Sequence, residues 1–122
     1  MYSIRFTTED EKNIEALVGM GFPRAFATVL VFFSKKKSTC YKEIVRCTQL
    51  SHTDVHHAFQ VLQRRGWVEC RIVRRDCRGR PPHRYRLKVP YDQIIREIIE
   101  DEKKKIRRIE ENVDRLKALM EP

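Results

Sequence analysis

The sequence predicts a mainly α-helical fold with a small β-hairpin, followed by a long C-terminal helix of coiled-coil type. Three observations carry that prediction. Apolar residues recur at helical spacing as far as residue 66, the period then drops to two on either side of a loop bearing glycine and proline, and a heptad pattern runs from residue 95 to residue 120. They divide the chain into a domain at residues 8–90 and an extension at residues 91–120.

Each element has its own local cause. Thr7-Thr8-Glu9-Asp10-Glu11 supplies a capping hydroxyl and then acids in the first turn, where the helix dipole favours them. Ile14, Leu17 and Val18 form the apolar face, and Gly19-Met20-Gly21 ends the helix. A second helix spans 22–33, with Pro23 near its first helical position. It is apolar nearly all round, which places it in the middle of the core. Lys35-Lys36-Lys37 follows at its C-terminal end, where cations suit the dipole.

In the third helix Glu43 comes three residues after Cys40, so cysteine takes the capping-box position ordinarily held by Ser or Thr. Ile44, Val45 and Cys47 supply the inward face. Leu50-Ser51 turns the chain, and Ser51 with Asp54 three residues on caps a fourth helix. That helix has Val55, Ala58, Phe59 and Leu62 on one face and His52, Thr53, His56, His57 and Gln60 on the other, and stops at Arg64-Arg65-Gly66.

Beyond it Val68, Cys70 and Ile72 alternate with Glu69 and Arg71, and in the returning strand at 84–89 Tyr85, Leu87 and Val89 share a side. Two alternating strands around a Gly/Pro loop make a β-hairpin. Pro90 ends it, and Asp92 caps a helix from Gln93 to Met120. There Ile99, Ile106, Val113 and Met120 recur every seven residues, as do Ile95, Glu102, Ile109 and Leu116, offset by three. The helix is about 40 Å long at 1.5 Å per residue, and its stripe outruns what the preceding domain can cover. A homodimer through Ile95, Ile99, Ile106, Ile109, Val113, Leu116 and Met120 is the expectation, with folding back onto its own domain as the alternative. Lys105 and Glu110 suit a parallel seam, but the orientation stays open.

The block Lys42-Glu43-Ile44, Leu50-Ser51, Val55, Ala58-Phe59, Leu62, Gly66-Trp67-Val68-Glu69, then Gly79-Arg80-Pro81 and Tyr85 with Leu87, resembles the winged helix-turn-helix of prokaryotic and archaeal transcriptional regulators. It is most similar to the TrmB-like group within the MarR/ArsR-type superfamily. The resemblance covers about residues 10 to 90, and departs from the family pattern at Cys40 and in the three histidines of the fourth helix. It implies that helix 52–65 enters the major groove and that 67–89 forms the wing, with DNA as partner.

The charge agrees with that reading. The net charge is +9, yet residues 35–88 alone carry fifteen basic against four acidic side chains, a net +11. Charge so concentrated points to a polyanion-binding surface. On the fourth helix, Gln60 has the geometry to pair with adenine, Thr53 to touch a thymine methyl or a phosphate, and His52, His56 and His57 to donate to guanine or phosphate. Arg64 and Arg65, at the far end, suit phosphates or the helix dipole. In the wing, Arg74, Arg75, Arg78, Arg80, His83 and Arg84 join this surface. Arg78-Gly79-Arg80-Pro81 matches the core of the AT-hook, so whether its arginines enter the minor groove or only grip phosphates is open.

Other classes are disfavoured. No apolar run approaches the roughly 18 residues of a membrane span, and the N-terminus lacks the features of a signal peptide, so a cytoplasmic protein is expected. There is no Gly-rich phosphate loop, nucleophile elbow or close carboxylate pair, so neither an enzyme nor a cofactor is expected. No C-x2-C pair occurs, and Cys40 and Cys47 lie about 10 Å apart along a helix, too far to share one zinc, so no metal is expected. The alternatives are an architectural, largely sequence-independent DNA binder, a redox-responsive regulator using Cys40 or Cys77, the latter flanked by Arg75, Arg78 and Arg80, a metal-responsive one with a site assembled across a dimer, and a winged helix used for protein assembly, which leaves the +11 segment unexplained. No effector is legible.

Overall fold

In the computed structural model, which describes residues 5–72 and 83–121, the order is α1 (Thr8–Gly19), α2 (Arg24–Lys35), β1 (Ser38–Thr39), α3 (Tyr41–Thr48), α4 (His52–Arg64), β2 (Val68–Ile72), β3 (His83–Leu87) and α5 (Tyr91–Lys117), with a 3-10 turn at Ala118–Met120. The chain forms two compact units, one reaching Tyr91 and one starting at Asp92. No helix among the described residues is long and apolar enough to cross a membrane.

The first unit is built around α2. Phe26, Ala27, Val29, Leu30, Val31, Phe32 and Phe33 are all buried, as an all-round apolar helix requires. Against it lie Ile14 and Leu17 of α1, Ile44 of α3, and Val55, Ala58, Phe59 and Leu62 of α4. Pro23 stands just outside the helix as its N-cap residue rather than inside the first turn. α1 begins with a full capping box: Thr7 Oγ1 accepts from the Asp10 N–H at 3.1 Å, and Asp10 Oδ2 accepts from the Thr7 N–H at 2.7 Å. Lys35 Nζ reaches the same carboxylate at 2.5 Å, tying the start of α1 to the end of α2. Burial pushes the Asp10 pKa up, but the bonds from Lys35 and Thr7 outweigh it and hold the carboxyl below its ordinary value.

One local expectation is corrected at α3. Cys40 does hold the extended N-cap position, but its side chain caps nothing. The hydroxyl that meets Glu43 belongs to Thr39, whose Oγ1 donates to Glu43 Oε1 at 2.7 Å, while Lys36 Nζ lies 2.5 Å from Glu43 Oε2. Thr39 is fully buried because it lies in β1, a strand the sequence did not signal. The expected hairpin is present as β2 with β3, and β1 extends it to a three-stranded antiparallel sheet of order β1-β3-β2. Ser38 pairs with Arg86 and Thr39 with Tyr85, while Val68, Cys70 and Ile72 pair with Leu87, Tyr85 and His83. The returning strand also ends at Leu87, leaving Val89 outside it, with the Lys88 N–H closing onto the Trp67 carbonyl at 2.8 Å.

α3 closes on Gln49 in the left-handed region, φ 60°. Ser51 then caps α4, its Oγ accepting from the Asp54 N–H at 3.1 Å. The second unit is helical. α5 starts at Tyr91, so Asp92 lies within its first turn instead of capping it, and forms an ion pair with Arg96 at 3.3 Å. Ile94 and Ile98 are buried and Ile95 is half-buried; Ile99, Ile106, Ile109, Val113, Leu116 and Met120 are all exposed, together with Leu119.

Candidate nucleic-acid interface

α4 separates an apolar face from a polar one. Val55, Phe59 and Leu62 are fully buried and Ala58 nearly so, which fixes the rotation of the helix about its axis. At 3.6 residues per turn the opposite side is then set: Thr53, His57, Gln60 and Arg64 point most directly outward. His52 and His56 lie on the flank. All six are exposed, so every α4 residue picked out for DNA lies on one accessible surface. Arg65, just beyond the helix, folds its guanidinium over the Trp67 ring at 4.9 Å and the Phe22 ring at 5.9 Å. Its planar group is thus partly engaged in packing, alongside any role at a phosphate.

His56 has a partner that the sequence reading missed. Tyr41, the first residue of α3, places its hydroxyl 2.8 Å from His56 Nδ1, with the two rings stacked at 24°. Tyr41 is fixed edge-on against Phe59 and Tyr85, whose own rings stack at 3.8 Å. The Tyr85 hydroxyl donates to the Tyr41 oxygen at 3.4 Å. Burial first, and then the bond to Tyr41, raise the Tyr85 pKa far above the ordinary phenol value. A signal was available: Tyr41 stands three residues before Ile44, on the inward row of α3.

The sheet sorts its charges by register. Val68, Cys70 and Tyr85 face one way, and Glu69, Arg71, Arg84 and Arg86 the other. Glu69 and Arg86 are directly opposite and form an ion pair, and Arg71 Nε lies 3.6 Å from the same carboxylate. The Arg86 hydrogen bond above all, helped by the charges of Arg71 and Lys88, holds the Glu69 pKa below its ordinary value. Arg84 turns instead to β1, donating from Nε to Ser38 Oγ and from Nη2 to the Ser38 carbonyl, both at 3.2 Å. It therefore ties the edge strand to the sheet. His83 is exposed at the outer end of β3, with Nδ1 3.6 Å from Cys70 Sγ. Arg74, Arg75, Arg78 and Arg80, with Cys77, lie outside the described residues.

Among the described residues no group of three or more His, Cys, Asp or Glu side chains is placed to hold a metal. Cys40, Cys47 and Cys70 are free and half-buried.

No protein-family model matches the chain, and no curated protein sequence matches it. Among solved structures it is similar to a MarR family transcription regulator, with 23% identity over 93% of this chain and 73% of that one, at a TM-score of 0.51. It also aligns with TrmBL2, described as an archaeal chromatin protein, with 13% identity over 93% of this chain and 44% of that one, at a TM-score of 0.48. The mostly helical chain, the small antiparallel sheet and the long C-terminal helix together make a winged-helix fold.

Proposed function

We propose that this protein is a DNA-binding transcriptional regulator that lays α4 in the major groove of a duplex and rests the β2–β3 wing on the backbone or in the minor groove. The observation that supports this reading most strongly is the α4 face itself. His52, Thr53, His56, His57, Gln60 and Arg64 are all exposed on a helix whose other side is locked into the core. These are side chains suited to base edges and phosphates, and they sit within the segment that carries a net +11. The reading assigns the protein no enzymatic step and no cofactor.

The protein acts as a homodimer in this proposal. Ile99, Ile106, Ile109, Val113, Leu116 and Met120 leave an apolar stripe in water at exposures of 41% to 78%, which is uncommon on a chain that stays alone. A heptad stripe is complementary to its own copy, so a second chain is the occupant that needs no further specification. Pairing sets two recognition helices on a two-fold DNA site.

An architectural, largely sequence-independent mode is the second reading. It is favoured by one observation: α4 has no Arg or Lys before Arg64, so the commonest guanine reader is missing from its leading turns. Selection from random duplexes, followed by affinities for the selected and the unselected DNA at one salt concentration, separates the two. The regulator requires a specificity ratio of at least about 10³. A ratio near one rejects it in favour of the architectural mode.

A further inference from the structure

We infer that Tyr41 is a positioning residue for base readout: its hydroxyl holds His56 as the Nε2–H tautomer, so that α4 offers the groove an imidazole that can only donate. This rests on the DNA-binding reading of α4 and adds to it a residue, a protonation pattern and a base preference.

A neutral imidazole has one donor and one acceptor nitrogen, and the hydrogen bond made by one nitrogen decides the role of the other. In this protein Nδ1 of His56 is taken, 2.8 Å from the Tyr41 hydroxyl. Two considerations set the direction of that bond. The Tyr41 oxygen already receives the Tyr85 proton at 3.4 Å, which leaves Tyr41's own proton to be given away. The pair's chemistry agrees, because a phenol is a strong donor and a weak acceptor, its oxygen lone pair being drawn into the ring, whereas the unprotonated nitrogen of imidazole is a good acceptor. Tyr41 therefore donates, Nδ1 accepts, and the ring proton resides on Nε2.

The geometry is held from both sides. Tyr41 packs edge-on to Phe59 and Tyr85, and the turn of α4 that bears His56 is anchored by fully buried Val55 and Phe59. With Nδ1 engaged, Nε2–H is the polar group that this exposed ring has left for a ligand. In the major groove a lone donor matches guanine N7 and O6, adenine N7 and thymine O4, and is opposed by the amino groups of cytosine and adenine. Guanine presents two acceptors side by side, so the base pair facing His56 is expected to be read as guanine.

The test has a spectroscopic arm and a DNA arm. Ring nitrogen shifts of His56, recorded at about pH 8.5 where imidazoles are neutral, are expected to show a protonated Nε2 and an unprotonated Nδ1. Tyr41→Phe keeps the aromatic packing, verified by an unchanged melting profile, and is expected to move both shifts toward a mixture of tautomers. Tyr85→Phe keeps the Tyr41 hydroxyl and is expected to retain the Nε2–H form. On selected duplexes, Tyr41→Phe should lower the guanine preference at one position per half-site by roughly five-fold, about the worth of one net hydrogen bond, with affinity for unselected DNA unchanged. A wild-type ring protonated on Nδ1 overturns the inference, as does a guanine preference untouched by Tyr41→Phe. Equal tautomer loss in both variants would show that the Tyr41 hydroxyl alone does not hold the ring, and also overturns it. If the wild-type protein bound no duplex, the base assignment would fall with the DNA reading, whereas failure in the variants alone leaves that reading standing.

Discussion

Glu43→Ala removes the carboxylate at which the end of α2, the edge strand and α3 meet. Glu43 accepts from Thr39 Oγ1 at 2.7 Å and faces Lys36 Nζ at 2.5 Å. Thr39 is fully buried, and without Glu43 its hydroxyl keeps, among the described residues, a long contact to the Cys40 carbonyl at 3.4 Å. A buried hydroxyl left without a good partner costs about 1–3 kcal/mol. The Lys36 pair, with side chains 38% and 24% exposed, is screened and adds about 0.5 kcal/mol. The expected loss is about 2 kcal/mol, a drop of roughly 8 °C in Tm for a chain of this size. Glu43→Gln separates the two parts: its amide oxygen still accepts from Thr39, so only the charge contribution goes, and Tm should fall by roughly 2 °C.

Acidity gives the sign. Burial raises the Glu43 pKa, but the bonds from Lys36 and Thr39 and the charges of Lys36 and Arg84 more than offset it, leaving the folded value below the ordinary 4.5. Such a group contributes stability that is complete above the unfolded value and disappears as pH falls through the folded one. The Tm gap between wild type and Glu43→Gln should therefore be full at pH 7 and close as pH is lowered below about 4. Thermal melts by circular dichroism over that range measure it. Equal destabilisation by Ala and Gln, or a gap that widens in acid, would refute the assignment of Thr39 and Lys36 to this carboxylate.

Three further outcomes are expected. Cys40→Ser supplies the side-chain cap that the extended backbone at position 40 is shaped for and the thiol does not provide; chemical denaturation should show a gain of about 0.5–1 kcal/mol. Gln49→Gly relieves a side chain held at φ 60° between α3 and α4, and the same measurement should show a gain of up to ~1 kcal/mol. Ile106 and Ile109 are 53% and 59% exposed, so burying each in a dimer contributes roughly 1 kcal/mol. Replacing both by Asn should weaken association by about 4 kcal/mol over two protomers, a roughly thousand-fold change by sedimentation equilibrium.

What the sequence made legible was local. α1 and α4 carry their own start signals in Thr7 and Ser51, and α2 declares its place through apolar residues on every side. The features it hid depend on partners distant in the chain. Ser38–Thr39 is too short to show any period and is a strand only because β3, more than forty residues later, pairs with it. That pairing buries Thr39, which then takes over the hydroxyl role expected at Cys40. Likewise Arg84 and Arg86 counted simply as positive charge until register set Glu69 opposite Arg86 and brought Ser38 to Arg84. The α4 residues themselves were legible because one helix period defines both of its faces. Tyr41 was not named, since its contact with His56 exists only once α3 and α4 are packed.

The central claim, that the basic middle of this chain is a DNA-binding surface, is tested most directly by the affinity of the purified protein for a duplex as salt is raised. With at least four phosphate contacts per bound molecule, log Kobs should fall against log salt with a slope of about −3.6 or steeper. Binding that is absent at about 50 mM salt, or that ignores salt altogether, would contradict it.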